Sequence, residues 1–202
     1  MTLPNKLTLF RIILVPAMVV ISCIDYLNNH FLFNGVISIS NFTNLIIFIV
    51  ASLTDFLDGY IARSRNLVTT FGKFADPLAD KLLVISAMII LCLQINKYSP
   101  SLSFILPGWV IVTILAREFI VSGIRLVAVE HGTVIAAGWL GKIKTATTMF
   151  ALIFLFLYQI NIANIALFAY IGAALMYLAL FFTVWSGIDY FYKNRKIILE
   201  SI

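Results

Sequence analysis

A chain of 202 residues that is 62% hydrophobic and only 11% charged, with a mean hydropathy of +1.04, is too apolar for a soluble domain. Its net charge of +5, from 14 Lys and Arg against 9 Asp and Glu, does not point to nucleic acid, because the cations are strung along the ends of apolar runs. What remains is a lipid-embedded helical bundle, all-α and polytopic, with membrane lipids and not nucleic acid as its surroundings.

A spanning helix needs roughly 20 apolar residues, and the chain offers six such runs, over 7–27, 40–62, 77–95, 103–127, 141–159 and 164–190. A short N-terminal interfacial segment precedes the first. There, Asn5 to Thr8 reads as a helix entry whose polar side chain caps free amides, and Lys6 to Arg11 as an amphipathic start at the membrane surface. The basic residues before an apolar run imitate a signal peptide, but no small-residue cleavage site follows, so the run is expected to stay as the first helix.

The second and third spans carry the acidic residues treated below. Glu130 to Gly141 reads as the loop between the fourth and fifth spans, with His131 solvated in it. Between Lys144 and Asp189 lie 44 uncharged positions, enough for two crossings turned at Gln159-Ile160-Asn161. Lys193-Asn194-Arg195-Lys196 then anchors the last helix at the interface.

Six crossings bring both termini to one side. Of the 14 cations, Lys97 alone falls on the other, so the cation-rich side is predicted to face the cytoplasm. His30 lies on the side of Lys97. Without linkers, repeats or low-complexity tracts, residues 1–202 are expected to form a single domain. Cys23 and Cys92 sit in apolar runs without metal-ligand spacing and are read as packing residues.

Acidic side chains are expensive near hydrocarbon and mark function. Asp55 and Asp58, three apart, share one helix face about 4.5 Å apart along the axis. Asp76 and Asp80, four apart at the start of the next, antiparallel span, do the same, so four carboxylates can converge. Gathered like charges repel and take up protons unless cations neutralise them. All-oxygen ligands suit hard cations such as Mg²⁺ or Mn²⁺, and a pair of divalent ions can grip a pyrophosphate. Gly59 and Ala62 fit either a flat nucleotide lying against the backbone or an ordinary small-residue helix contact in lipid.

The full run is Asp55, two residues, Asp58-Gly59, two residues, Ala62-Arg63, eight residues, Gly72, three residues, Asp76, three residues, Asp80. It resembles the signature of CDP-alcohol phosphotransferases at each fixed position, and the six-span layout agrees with that family. The resemblance implies that Asp55, Asp58, Asp76 and Asp80 hold two divalent cations, Mg²⁺ or Mn²⁺, with Asp80 also the base that deprotonates the acceptor hydroxyl. It further implies that Gly59, Ala62 and Arg63 line the CDP site, and it suggests a homodimer.

The family divides by acceptor alcohol. Arg117 and Arg125, eight apart, share a helix face and suit a phosphate monoester through bidentate hydrogen bonds, and Lys142 and Lys144 open the next helix beside them. Lys144 fits equally well as an interfacial anchor. Arg117 is deeper, and Glu118 beside it makes a second buried charge.

Pro4-Asn5, Leu7-Thr8, Arg11, Ala116-Arg117-Glu118-Phe119 and Gly141-Lys142-Ile143-Lys144-Thr145 resemble the bacterial branch that joins CDP-diacylglycerol to glycerol 3-phosphate. That likeness implies that Asn5, Thr8 and Arg11 border the active site, which would face the cytoplasm from a bacterial inner membrane. The nearest rival is the branch that uses phosphatidylglycerol as acceptor and forms cardiolipin. A divalent-cation transporter is the more distant one, disfavoured because the acids cluster at one interface and not at the midplane.

Overall fold

In the computed structural model, residues 2–32, 37–64, 69–130, 138–158 and 165–200 are described, and of these the side chains at 3, 4, 37, 56–64, 70, 71, 73, 130, 165, 166 and 196–200 are not. The architecture is almost wholly helical. Helix α1 spans Leu3–Cys23, α2 Asp25–Asn29, α3 Ile39–Ser64, α4 Thr70–Tyr98, α5 Gly108–Glu130, α6 Trp139–Tyr158 and α7 Ile165–Glu200, with a 3₁₀ turn over Pro100–Ile105. Among the described residues the only strands are β1, Phe31–Leu32, and β2, Ile37–Ser38, an antiparallel pair that the sequence did not predict.

Five of the helices are long and apolar enough to cross a bilayer: Asn5–Cys23, Phe74–Tyr98, Pro100–Val129, Trp139–Tyr158 and Leu167–Arg195. The expected second span corresponds to α3, whose described apolar stretch, Ile39–Asp55, is shorter. The polytopic all-α class expected from composition is therefore what the chain adopts. The expected loop around His131 and the turn at Gln159 to Asn161 lie outside the described residues.

Several boundaries differ from the hydropathy reading. The residues before the first expected span are already helical: α1 starts at Leu3, with Pro4 in its first turn, where a missing N–H costs nothing. Its N-cap is Thr2, without a side-chain cap bond, and Asn5 lies inside the helix. Helix α4 begins at Thr70, seven residues before the expected start, because Thr69 caps it by accepting from the Gly72 N–H at 3.0 Å. Helix α7 runs through the basic tail to Glu200. Cys23 is exposed, so it is not the packing residue expected, and Cys92 is half-buried.

Helix α1 packs against α3 and α4, while α6 pairs with α7 and α5 lies on α7. The core between them holds Met18, Phe48, Leu83, Met88, Leu91, Leu152 and Phe156, all without exposed surface. Phe48 and Phe156 meet there at 5.9 Å between ring centroids, tying α3 to α6. Gly172 on α7 lets the pair close tightly, since a Cβ there would fall 2.7 Å from Leu155 Cδ2. This packing brings the polar ends of α1, α3, α4, α5, α6 and α7 into one neighbourhood.

Candidate active site

One side of α1 carries Asn5, Thr8 and Arg11, three residues apart each time, and all are buried. Thr8 and Arg11 reach two of the aspartates, and Asn5 reaches the α4 cap. Asn5 Oδ1 accepts from the Thr69 hydroxyl at 2.8 Å, Thr8 donates to Asp76 Oδ1, and Arg11 Nη1 donates to Asp55 Oδ1 at 2.7 Å. Arg11 has no exposed side-chain surface, so its guanidinium is spent inside the protein on the α3 aspartate. The first helix thus clamps an aspartate of α3 and an aspartate of α4, each through a charge-assisted bond.

The crowding explains Gly72. A Cβ at that position would lie 3.2 Å from Thr69 Oγ1, 3.3 Å from Asn5 Oδ1 and 3.6 Å from Asp76 Oδ2. Such spacing is tighter than a side chain comfortably takes, so the glycine lets the α4 cap and Asp76 share one small volume.

Asp80, one turn beyond Asp76, is where two groups of charges meet. It is within electrostatic reach of Asp55 and Arg11, and of Lys144 and Glu118. Together with Lys81, Glu118, Lys144 and Thr145 it lines a cavity of about 60 Å³ between α4, α5 and α6. Lys81 donates to Ser122 Oγ, which fixes α4 to α5 beside that cavity.

Beyond Asp80 lies a larger cavity of about 300 Å³, lined among others by Arg117, Glu118, Arg125, Lys144, Ser186 and Tyr190. Its floor is an ionic cluster in which Glu118 Oε1 accepts from Arg117 Nη1 at 2.9 Å and from Lys144 Nζ. The side chains of Arg117, Glu118 and Lys144 are 15%, 18% and 10% exposed, so this is a buried cluster that stands only because its charges are mutually paired. Of the described charged residues around the cavity, Arg117, Arg125, Lys144 and Lys193 oppose Glu118 and Asp189, a cationic balance. An anion entering it meets a positive, partly desolvated surface.

The expected basic residues divide here. Arg117 and Arg125 line the same cavity, and Lys144, read also as an interfacial anchor, is buried in it. Lys142 is exposed with its ammonium 5.6 Å from the Trp139 ring centroid, and it does not line the cavity. Asp58, Gly59, Ala62 and Arg63 continue α3 beyond Asp55, but their side chains lie outside those described. Sequence reasoning gave no role to Glu118 and missed the wall formed by Ser186 and Tyr190; the available signal was a polar pair one turn apart near the end of an apolar helix.

All-oxygen carboxylate donors of this kind suit a hard divalent cation. Among the described residues no group of three such side chains is close enough to hold an ion by itself. Asp58, on the same helix face as Asp55, is the expected further donor and falls outside that description.

An acidic cluster clamped by α1, followed across one carboxylate by a cationic cavity, suits an enzyme that joins a metal-bound diphosphate to an anionic acceptor. The profile of the CDP-alcohol phosphatidyltransferase family matches residues 1–185, and the chain belongs to that family. Family members generally depend on a divalent cation.

Among its relatives is the CDP-diacylglycerol–glycerol-3-phosphate 3-phosphatidyltransferase of Bacillus subtilis (strain 168), 44% identical over 200 residues and 98% of both chains. Proteins of the same name from Rickettsia felis and Escherichia coli (strain K12) are 38% identical over 96% and 36% identical over 98% of both chains.

Proposed function

We propose that this protein transfers the phosphatidyl group of CDP-diacylglycerol to glycerol 3-phosphate, giving phosphatidylglycerophosphate and CMP. The observation that carries this reading is that Asp80, one helical turn from Asp76, lines a cavity with Glu118 and Lys144, which also line the larger cationic cavity. A phosphate held by Arg117, Arg125 and Lys144 would present the carbon 1 hydroxyl of the acceptor toward that carboxylate. Asp80 takes the hydroxyl proton, the alkoxide attacks the phosphorus bearing diacylglycerol, and the bond to CMP breaks in the same displacement. No phosphatidylated enzyme is needed.

Asp55, Asp58, Asp76 and Asp80 would hold two divalent cations, with Mg²⁺ the expected ion. Such ions supply charge neutralisation to the diphosphate and its leaving group. Arg11 and Thr8 keep Asp55 and Asp76 oriented for that task. Gly59, Ala62 and Arg63 would form the CDP side of the site, with Asn5 holding the α4 cap beside it. Lys142 has less support than Lys144, being exposed and turned to Trp139.

The reading extends to a single domain in a bacterial cytoplasmic membrane, with both termini and the site toward the cytoplasm, working as a homodimer among membrane lipids. Neither phosphatidylglycerol as acceptor nor cation transport is favoured, since the named relatives use glycerol 3-phosphate.

The test supplies purified protein, Mg²⁺ and CDP-diacylglycerol with glycerol 3-phosphate, phosphatidylglycerol, inositol phosphate or serine in turn and measures CMP. Release with glycerol 3-phosphate alone is expected. Release with phosphatidylglycerol in its place would reassign the acceptor.

A further inference from the structure

Each arginine of the cationic cavity is met by one residue of α7. Ser186 Oγ accepts from Arg117 Nη2 at 3.0 Å, and Tyr190 OH accepts from Arg125 Nε at 3.3 Å. Four residues apart, the two acceptors lie on one face of α7. Both are buried, Ser186 at 5% and Tyr190 at 9% exposure, although one carries a hydroxyl and the other a phenol. The serine hydroxyl donates its own proton to Thr183 O at 3.1 Å, which leaves its lone pairs for the guanidinium. Arg125 also lies 5.7 Å from the Tyr190 ring centroid, within cation–π range.

Gly187 completes the surface. A Cβ there would sit 3.1 Å from Arg117 Cγ, so the arginine stem lies against bare backbone next to the serine that holds its head. The opposite arm of the same guanidinium is fixed by Glu118. Arg117 therefore spans α5 and α7 with its orientation set from both sides, and Arg125 is set by Tyr190 alone of the described hydrogen-bond partners. A long cationic side chain loses much rotamer freedom on gripping an anion, and ordering it beforehand removes part of that cost.

We propose that Ser186, Gly187 and Tyr190 are positioning residues that hold Arg117 and Arg125 for the acceptor's phosphate monoester, making α7 a determinant of acceptor affinity. This rests on the acceptor pocket proposed above and adds to it a helix outside the family signature.

The experiment measures initial rates of CMP release by the full-length protein while glycerol 3-phosphate and CDP-diacylglycerol are varied independently. Ser186→Ala and Tyr190→Phe should each raise the KM for glycerol 3-phosphate on the order of tenfold, the scale of one lost hydrogen bond to a charged group. Gly187→Ala should move it in the same direction. The KM for CDP-diacylglycerol and kcat at saturating acceptor should stay within about twofold, and Ser186→Thr should recover most of the loss. Tyr190→Phe placed on Arg125→Ala should add nothing further.

An unchanged acceptor KM, equal effects on both substrates, or full additivity with Arg125→Ala would overturn the proposal. A fall in kcat alone would overturn it too, marking a merely structural role. Arg117→Ala and Arg125→Ala, run alongside, separate the two readings. If they leave the acceptor KM untouched, the pocket itself is wrong; if they raise it while the α7 variants do not, only the role of α7 is.

Discussion

Asp55 and Asp76 are tied down by a guanidinium and a hydroxyl, whereas Asp80 has no hydrogen bond of that kind among the described contacts and lies along a cavity. The difference fits two tasks: fixed donors for an ion, and a carboxylate open to an incoming hydroxyl. Replacing the carboxylate by an amide keeps its size and removes its basicity. Asp80→Asn should therefore cut CMP release by roughly a hundredfold or more, the usual scale for losing a general base. Membrane insertion and the thermal transition should be close to those of the parent protein. Turnover near normal would take Asp80 out of the proton-accepting role.

Helix α7 shows how packing at one end serves chemistry at the other. Its Gly172 meets Leu155 of α6 where a Cβ would lie 2.7 Å from Cδ2, 2.9 Å from Cγ and 3.3 Å from the backbone N, so a side chain there would force both helices to shift. Gly172→Ala should destabilise the bundle by about 1–3 kcal/mol, the range for overpacking, read as a lower thermal transition in detergent. Leu155→Ala carries its own cavity cost, so the contact is read from the double-mutant cycle: the two changes together should cost less than the sum of each alone, and strict additivity would mean that Gly172 and Leu155 do not meet.

The helices themselves were legible because lipid demands long apolar runs, but their ends were not. Hydropathy marks where a chain leaves hydrocarbon, while hydrogen bonding carries α7 on to Glu200 through Lys and Arg residues that favour helix. Likewise the early start of α4 depends on the Thr69 cap, a local bond that apolar counting does not register.

Across the whole molecule, polar chemistry is divided between two ends. Arg11, Asp55, Asp76, Asp80, Glu118 and Lys144 gather at one, and Asp25 with Lys97 forms an exposed ion pair at 3.2 Å at the other. The carboxylate spacing and the arginines were readable from the sequence, since three, four and eight residues are whole helical turns or nearly so. Which helix answers them was not, because nothing in an apolar run says that Ser186 faces Arg117 across 69 positions.

The two ends also bear on orientation, for an excess of Lys and Arg holds an end on the cytoplasmic side. In a chain carrying Cys23→Ser and Cys92→Ser, a cysteine in place of Lys97 should react with a membrane-impermeant maleimide in intact bacterial cells. One in place of Arg195 should react only after permeabilisation. Lys97 and Arg195 are both exposed, so failure to label reports the membrane and not burial. The reverse pattern would turn the molecule over and move the site away from the water-soluble substrate pool, whereas labelling of both from outside would rule out the bundle's two ends facing opposite compartments.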